Sequence, residues 1–162
     1  MIGVAFCRAM RRDETQAVAA LLEACFESTA ERRLVEQLRK DRVIAGEMVL
    51  PDQEGGIVGY YALSAMQAPK GWLCLAPVAV HPEWQGKGLG RRMIGQLSAW
   101  AQAAGQYVIV LGEAEFYERA GFERARAVHL QGPYPPENML LAGPGQDTPE
   151  HTLIYPRAIR EM

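Results

Sequence analysis

The chain has 162 residues, 49% of them hydrophobic and 22% charged, with a formal net charge of -2 at pH 7. This composition is typical of one globular domain with a full core, so we expect a single domain over residues 1–162. The weakly acidic charge balance argues against a nucleic-acid partner, and no apolar run approaches the roughly 20 residues of a membrane helix, which argues against a membrane.

The N-terminal segment, residues 1–7, is apolar, but it is too short for a signal peptide and reaches Arg8 without a cleavage-like segment. This pattern predicts a cytoplasmic protein. The cysteines lack any Cys-x-x-Cys spacing, which favours reduced core thiols over disulfides or a metal site. They are Cys7, Cys25 and Cys74.

The chain begins with a predicted strand over residues 2–8 and two predicted helices. Asp13 is placed to cap the first helix, and the capping-box pair Ser28 and Glu31 to start the second, which should end near Lys40. Apolar residues at helical spacing define both buried faces, with Val18, Leu21, Leu22 and Cys25 in the first helix and Leu34, Val35 and Leu38 in the second.

Two β-prone runs follow, over residues 42–50 and 57–64, and the turn-forming residues between them predict an antiparallel hairpin. A third run covers residues 72–80. It contains Pro77, which cannot donate a ladder hydrogen bond, so strand pairing should loosen there.

Helical periodicity over residues 89–104 ends at Gly105, and a short apolar strand follows at residues 107–111. A strand, a helix and a strand in this order suggest a parallel crossover. Residues 115–120 can form a short helix closed by Gly121, and an extended segment should begin with the next residue, Phe122.

Prolines punctuate the last thirty or so residues. We interpret residues 139–142 and 152–155 as late strands joined by loops. Residues 143–150 are polar and turn-rich, which leaves a linker or a disordered tail open as the alternative.

The most informative stretch is residues 80–92, where three glycines stand between an apolar strand and a helix. Glycine lets the backbone turn sharply and approach a ligand, and the helix points its free N–H groups at the same place. Positive side chains lie beside them, so the stretch predicts a site for a phosphate or pyrophosphate. The positive residues are Lys87, Arg91 and Arg92.

Two common phosphate-binding motifs do not fit this loop. A nucleotide P-loop needs Ser or Thr after its Gly-Lys, but Gly88 follows Gly86-Lys87. A dinucleotide fingerprint starting at Gly86 needs glycine where Arg91 stands, although Glu113 lies about where a ribose-binding acid would be. Dinucleotide binding therefore stays a minor alternative.

The loop does match a Gln-x-x-Gly-x-Gly pattern, Gln85-Gly-Lys-Gly88-Leu-Gly90, and at this point the chain resembles the GNAT superfamily of N-acetyltransferases. Residues 75–82 resemble the fourth strand of that family, and residues 116–122 match its Tyr-x-x-x-Gly-Phe segment. Weaker similarity to the YhbS-like branch of the superfamily lies at residues 110–113, 132–136 and 155–156.

The resemblance implies an α/β (α+β) fold with a mixed, mostly antiparallel sheet of six to seven strands, splayed between strands 4 and 5 and flanked by about four helices. Acetyl-coenzyme A (acetyl-CoA) would lie in the slot that the splay opens between strands 4 and 5. The N–H of Val78 would meet its thioester carbonyl, and the amides of the glycine loop would hold its pyrophosphate. The implied cofactor-binding residues are Val78, Ala79, Val80, Gln85, Gly86, Lys87, Gly88, Leu89, Gly90, Arg91, Phe116 and Tyr117.

The implied activity is N-acetyl transfer, by direct attack of a primary amine within a ternary complex. Tyr117 is the implied catalytic residue, because it stands where the family holds a general acid that protonates the departing thiolate. Cys74 has no base near it in the sequence, so we expect it to pack in the core rather than carry an acyl group. A non-catalytic acyl-CoA sensor is the alternative function.

The general base and the acceptor amine stay open. By resemblance, the acceptor pocket would form around residues 26–31, the edge of the fourth strand and the late loop at residues 132–138. Either a small molecule or a protein could supply the amine. Family members often pair, so a homodimer is a further expectation. Glutamates at four-residue spacing could attract a cation, although a solvated helix face is the preferred interpretation of Glu23, Glu27 and Glu31. The conceivable bases are Glu47, His81, Glu83, Glu113 and Glu115.

Overall fold

The structure, a computed structural model, describes residues 6–162. The strands are β1 (Arg8–Ala9), β2 (Ile44–Pro51), β3 (Ile57–Ala65), β4 (Leu73–Val80), β5 (Val108–Leu111), β6 (Leu130–Gln131), β7 (Met139–Ala142) and β8 (His151–Thr152). The helices are α1 (Thr15–Cys25), α2 (Ala30–Lys40), α3 (Leu89–Ala104), α4 (Ala114–Arg119) and α5 (Arg157–Arg160). Most of the strand predicted over residues 2–8 lies outside the described residues.

The central sheet within residues 6–162 has six strands in the order β1-β2-β3-β4-β5-β7. Every neighbouring pair is antiparallel except β4 and β5, which are parallel and joined by α3. The predicted hairpin is β2 and β3, and the predicted crossover is β4-α3-β5. The mixed, mostly antiparallel sheet is therefore confirmed, and β6 and β8 form a separate parallel pair.

Strands β4 and β5 separate halfway along β4. They pair only from Leu73 with Val108 to Leu75 with Val110. On its other side β4 has an extra residue relative to β3, because Leu75 lies opposite Leu63 while Val78 lies opposite Tyr61. Pro77 stands in this bulge, where its missing N–H is tolerated. The far half of β4 follows β3 alone, and the predicted splay between strands 4 and 5 is confirmed.

Alternate residues of β5 separate the two faces of the sheet, as expected for a strand buried on both sides. Val108 and Val110 pack with α3, whose inward residues are Leu89, Met93, Ile94, Leu97 and Ala101. Ile109 and Leu111 pack on the opposite face, which α2 and α5 cover with Leu34, Leu38, Ala158 and Ile159. Farther along that opposite face, α1 buries Val18, Leu21 and Leu22 against β2 and β3.

The predicted helix starts are wrong in detail. Asp13 lies inside a short 3-10 turn that precedes α1, and Glu14 does the capping work there, since its carboxylate accepts a hydrogen bond from the Arg11 N–H at 2.8 Å. The Ser28 hydroxyl accepts from the N–H of Ala30 at 3.2 Å, and Thr29 occupies the N-cap position of α2 without a side-chain cap bond. The predicted capping roles of Asp13 and Ser28 are wrong because a polar side chain before a helix can bond an amide of the preceding turn instead of one in the first turn of the helix.

The segment after α4 is also not the extended run predicted from Phe122. Phe122 is fully buried, and Glu123 makes only an isolated bridge to Leu141 before the chain enters a 3-10 turn at Ala125–Ala127. One aromatic residue anchors the segment in the core, so no long ladder forms. The one-turn helix α5 was not predicted.

Residues 143–150, for which a disordered tail was the alternative, are tied to the domain by one buried cation. Arg126 is 5% exposed and donates to the carbonyls of Gly143 at 3.1 Å, Pro144 at 2.6 Å and Asp147 at 2.9 Å. Its guanidinium also pairs with the Asp147 carboxylate at 2.7 Å. The hydroxyl of Tyr107 donates to the same carboxylate at 2.6 Å.

We expect Arg126→Ala to lower the free energy of unfolding by about 3 kcal/mol, because the loop carbonyls lose a buried charged donor. Urea denaturation with the slope held common measures the loss. Arg124→Ala, two residues away and exposed, is the matched control and should stay within about 0.5 kcal/mol of the wild type. Equal effects of the two substitutions would show that the buried network adds no stability.

Candidate active site in the splay between β4 and β5

A cleft of about 920 Å³ opens where β4 and β5 separate. Of the predicted cofactor-binding residues, those that line it are Val78, Val80, Gln85, Gly86, Gly88, Leu89, Gly90, Arg91, Phe116 and Tyr117. Two of the conceivable bases, Glu113 and Glu115, also line it. Three further lining residues have no role predicted from the sequence, although each is next to or within a predicted motif: Trp84, Gly112 and Arg119. Phe26 extends the lining from the end of α1.

Two predicted residues do not line the cleft. Ala79 is 3% exposed and packs on the opposite face of the sheet against α1. Lys87 lies with its ammonium 5.6 Å from the centre of the Trp84 ring, a cation–π contact at the surface. Strand alternation explains Ala79, because neighbours on a strand face opposite sides and Val78 and Val80 take the cleft side.

The backbone of β4 presents unpaired polar groups to the cleft. The N–H of His81 donates to the Val58 carbonyl on β3 at 2.8 Å. Because alternate residues of a strand direct their backbone groups to the same neighbour, Ala79 also bonds β3, and the N–H of Val78 points to the side that β5 has left. The Val80 carbonyl is already used, by the Gln85 side-chain amide at 2.8 Å and the Cys25 thiol at 3.2 Å.

The glycine loop leads directly into the first turn of α3. Gly86 and Gly88 both have a φ of +78°, a backbone conformation that side chains with a Cβ rarely adopt. Gly88 is the N-cap of α3 and supplies no side-chain cap. The first N–H groups of this 16-residue helix therefore face the cleft without a side-chain acceptor. With Arg91 beside them, they form a site for an anion.

Tyr117 is held at the other wall by aromatic and backbone contacts. Its ring packs edge-on against Phe116 at 4.9 Å and Phe122 at 5.9 Å between centroids. The ring also lies against the Cα of Gly112, where a Cβ would stand 2.5 Å from Cε2 of Tyr117. Burial and the nearby Glu113 carboxylate raise the pKa of Tyr117 to about 12, so the phenol keeps its proton well above neutral pH.

Most of the conceivable bases are already engaged. Glu47 accepts from Tyr60 at 2.6 Å and pairs with Arg39 at 2.8 Å, which ties α2 to the sheet. Nδ1 of His81 accepts from the Glu83 N–H at 3.1 Å and closes a turn, and neither residue lines the cleft. Glu115 pairs with Arg119 at 2.8 Å. The side chain of Glu113 makes no hydrogen bond or ion pair with any residue from 6 to 162, although its backbone carbonyl accepts from the Tyr117 N–H at 3.1 Å.

Cys74 is 2% exposed and packs in the core between β4 and α2, as predicted. Burial raises the pKa of its thiol to about 12, which keeps it protonated and a poor nucleophile. An acyl-cysteine route is therefore disfavoured.

A second cavity of about 460 Å³ meets the cleft at the end of β5. The two cavities share Gly112 and Glu113. The remaining lining of the second cavity comes from Leu111, Tyr134, Pro135 and Asn138.

Within residues 6–162, no helix is both long enough and apolar enough to cross a bilayer.

Comparison with known proteins agrees with this geometry. The sequence profile of the acetyltransferase (GNAT) domain matches residues 45–124. An uncharacterized N-acetyltransferase of Escherichia coli K12, YhbS, is 35% identical over an alignment of 125 residues, with 73% of this chain and 73% of that protein covered.

Two solved structures share the fold over nearly their whole length. The crystal structure of E. coli YhbS in complex with CoA has a TM-score of 0.88 at 27% identity, covering 99% of this chain and 93% of that chain. A GNAT acetyltransferase of Brucella melitensis in complex with acetyl-CoA has a TM-score of 0.79 at 25% identity, covering 98% of this chain and 99% of that chain. The predicted fold, enzyme class and family are thus confirmed, and the chain belongs to the GNAT family of N-acetyltransferases.

Proposed function

We propose that the protein transfers an acetyl group from acetyl-CoA to a primary amine, and that the cleft between β4 and β5 holds the donor. The observation that carries this proposal is the meeting of two sets of backbone donors in one cleft, the edge of β4 that β5 has left and the first turn of α3. CoA and acetyl-CoA are the ligands of the two solved relatives.

The cleft fits both ends of such a donor. A pantetheine arm carries amides that can pair with an open strand edge, which β4 offers from the bulge at Pro77 onward. A pyrophosphate suits the N–H groups of Leu89, Gly90 and Arg91 and the flexible glycines before them. When bound, acetyl-CoA supplies an acetyl group activated as a thioester.

Val78 and Tyr117 have different roles in the transfer. The N–H of Val78 donates a hydrogen bond at the thioester carbonyl, where negative charge develops. Tyr117 donates its hydroxyl proton to the departing sulfur and regains one from solvent. The acceptor enters as an ammonium and gives up one proton before it attacks and another as the amide forms, so each turnover releases one proton to solvent.

The first test is binding. We expect acetyl-CoA at 100 times its Kd to stabilise the protein by about 2.7 kcal/mol in a thermal-shift measurement, and NADH to give no shift. A thiol-release assay with a panel of amines then separates an enzyme from an acyl-CoA sensor. Stabilisation by NADH and not by acetyl-CoA would contradict the proposal.

Gly88→Val tests the glycine loop within the same measurement. We expect it to weaken acetyl-CoA binding at least about tenfold, because valine at a φ of +78° displaces the loop and the start of α3. Gly55→Val is the matched control, since Gly55 has a φ of +86° in the remote β2-β3 turn. It should lower the melting temperature by a similar amount and leave the affinity for acetyl-CoA unchanged.

A further inference from the structure

The second cavity lies on the other side of the sheet from the donor cleft. Tyr117 and Phe116 pack with the α3 side of the core, whereas Leu111 and Tyr134 pack with the α2 and α5 side. The cleft and the cavity touch at Gly112 and Glu113, at the end of β5. A molecule in the cavity would therefore reach Tyr117 through the gap between the splayed strands, from the face opposite the glycine loop.

The walls of this cavity have a definite chemistry. Leu111, Tyr134 and Pro135 make them mainly apolar, and Asn138 adds one amide. Among the described residues of the lining, Glu113 is the only charged one, and none is Arg or Lys. Such a lining matches one positive charge attached to an apolar body, and it offers no partner for a carboxylate or a second ammonium.

Other acidic residues near the splay are less available. Glu115 pairs with Arg119 at 2.8 Å, and Glu23 pairs with Arg32 at 3.1 Å. Glu31 has one buried carboxylate oxygen without a hydrogen-bond partner, yet it lines neither the cleft nor the second cavity. Among the acidic residues that the structure describes, only Glu113 borders both spaces, and its side chain has no hydrogen bond or ion pair with another described residue.

We propose that the second cavity binds the acceptor, a small primary monoamine with a compact apolar or aromatic body and no carboxylate beside the amine, and that Glu113 holds its ammonium at the junction with the donor cleft. This inference rests on the proposed acetyl transfer. It adds the class of acceptor and the residue that selects it.

Paired acceptors test the class. Phenethylamine and phenylalanine differ only in a carboxylate next to the amine, and spermidine adds further ammonium groups. We expect kcat/KM for phenethylamine to exceed the values for phenylalanine and for spermidine by at least about tenfold. The carboxylate of phenylalanine would lie beside the Glu113 carboxylate, and the further ammonium groups of spermidine meet no second acidic residue among the described residues of the lining. A preference for phenylalanine or spermidine, or for a peptide amine over phenethylamine, overturns the inference and leaves acetyl transfer standing.

Glu113→Gln tests the residue. We expect it to raise the KM for phenethylamine at least about tenfold, with kcat and the Kd of acetyl-CoA within about threefold, because a neutral amide replaces a charged acceptor of the ammonium hydrogen bond. Glu118→Gln is the matched control, because Glu118 is an exposed residue of the adjacent helix α4 that lines neither space, and it should leave the KM for phenethylamine unchanged. A rise in KM with Glu115→Gln or Glu31→Gln, and none with Glu113→Gln, overturns the assignment.

A calorimetric titration separates failure of the inference from failure of the proposed function. Phenethylamine is titrated into wild-type protein saturated with CoA, where no reaction occurs, and into Glu113→Gln. We expect binding at least about tenfold weaker in the variant. No binding to the wild type overturns the acceptor site, whereas binding without turnover on acetyl-CoA supports the site and contradicts the proposed function.

Discussion

Replacing Tyr117 with phenylalanine is expected to lower kcat about 100-fold and to leave the Kd of acetyl-CoA within a few fold. The substitution keeps the ring that packs on Phe116 and Phe122 and removes only the hydroxyl that donates to sulfur. General acid catalysis contributes typically 10²–10⁴-fold, and the lower end is expected here. A phenol whose pKa is about 12 gives its proton uphill to a thiolate with an ordinary pKa of about 8.5, so Tyr117 stabilises the sulfur mainly through a strong hydrogen bond.

The raised pKa of Tyr117 also fixes the pH dependence of this effect. Tyr117 acts in its protonated form, and that form persists to about one unit below its pKa of about 12. The ratio of wild-type to Tyr117→Phe kcat should therefore stay constant between about pH 8 and pH 10, whereas a phenol with an ordinary pKa of about 10 would be half ionised at the upper limit.

Tyr107→Phe is the control for this experiment, because it removes a hydroxyl that bonds Asp147 far from the cleft. Its kcat should match that of the wild type. If Tyr117→Phe turns over like the wild type at every pH, Tyr117 is not the proton donor and only lines the cleft.

The cleft was predictable because its parts are local in sequence. Pro77 in an apolar run favours a β-bulge, and the glycines ahead of a periodic helix favour a sharp turn. Both effects are local and do not depend on the rest of the chain. The order of β4, α3 and β5 then brings both events to one edge of the sheet. The position of Gly88 at the cleft follows from these local rules, whereas those of Val78 and Tyr117 were implied by the family resemblance.

The remaining features depend on tertiary contacts that no local pattern records. Alternation along β4 separates Ala79 from Val78 and Val80, but the packing of α1 and α3 on opposite faces of the sheet decides which of the two sets faces the cleft. The junction at Glu113 depends on Tyr134 and Asn138, more than twenty positions away in the chain. The status of Glu47 as a candidate base depends on its partners Arg39 and Tyr60, which sequence spacing alone does not assign.

Gly112→Ala is expected to lower kcat about as much as Tyr117→Phe does, although it touches no reacting atom. The added Cβ would lie 2.5 Å from Cε2 and 3.2 Å from Cδ2 of Tyr117, so the ring must move. A displacement of about 1 Å in a catalytic group can cost about 100-fold in rate. Gly112 has no positive φ, so alanine adds only this contact and no backbone strain. Gly95→Ala, in the middle of α3 with no atom within 4 Å of its added Cβ, should keep full activity.

The double variant Gly112→Ala/Tyr117→Phe decides whether Gly112 acts through the hydroxyl of Tyr117. If the glycine serves only to seat that hydroxyl, its effect disappears once the hydroxyl is gone, and the double variant should have a kcat within about threefold of Tyr117→Phe. If the two losses multiply instead, to about 10⁴-fold, then Gly112 supports catalysis by another route. The Kd of acetyl-CoA, measured on all three variants, should stay within a few fold of the wild type, because the β4 edge and the first turn of α3 are untouched. The coupling between the two substitutions therefore measures how much of the rate depends on the contact between the Tyr117 ring and the Cα of Gly112.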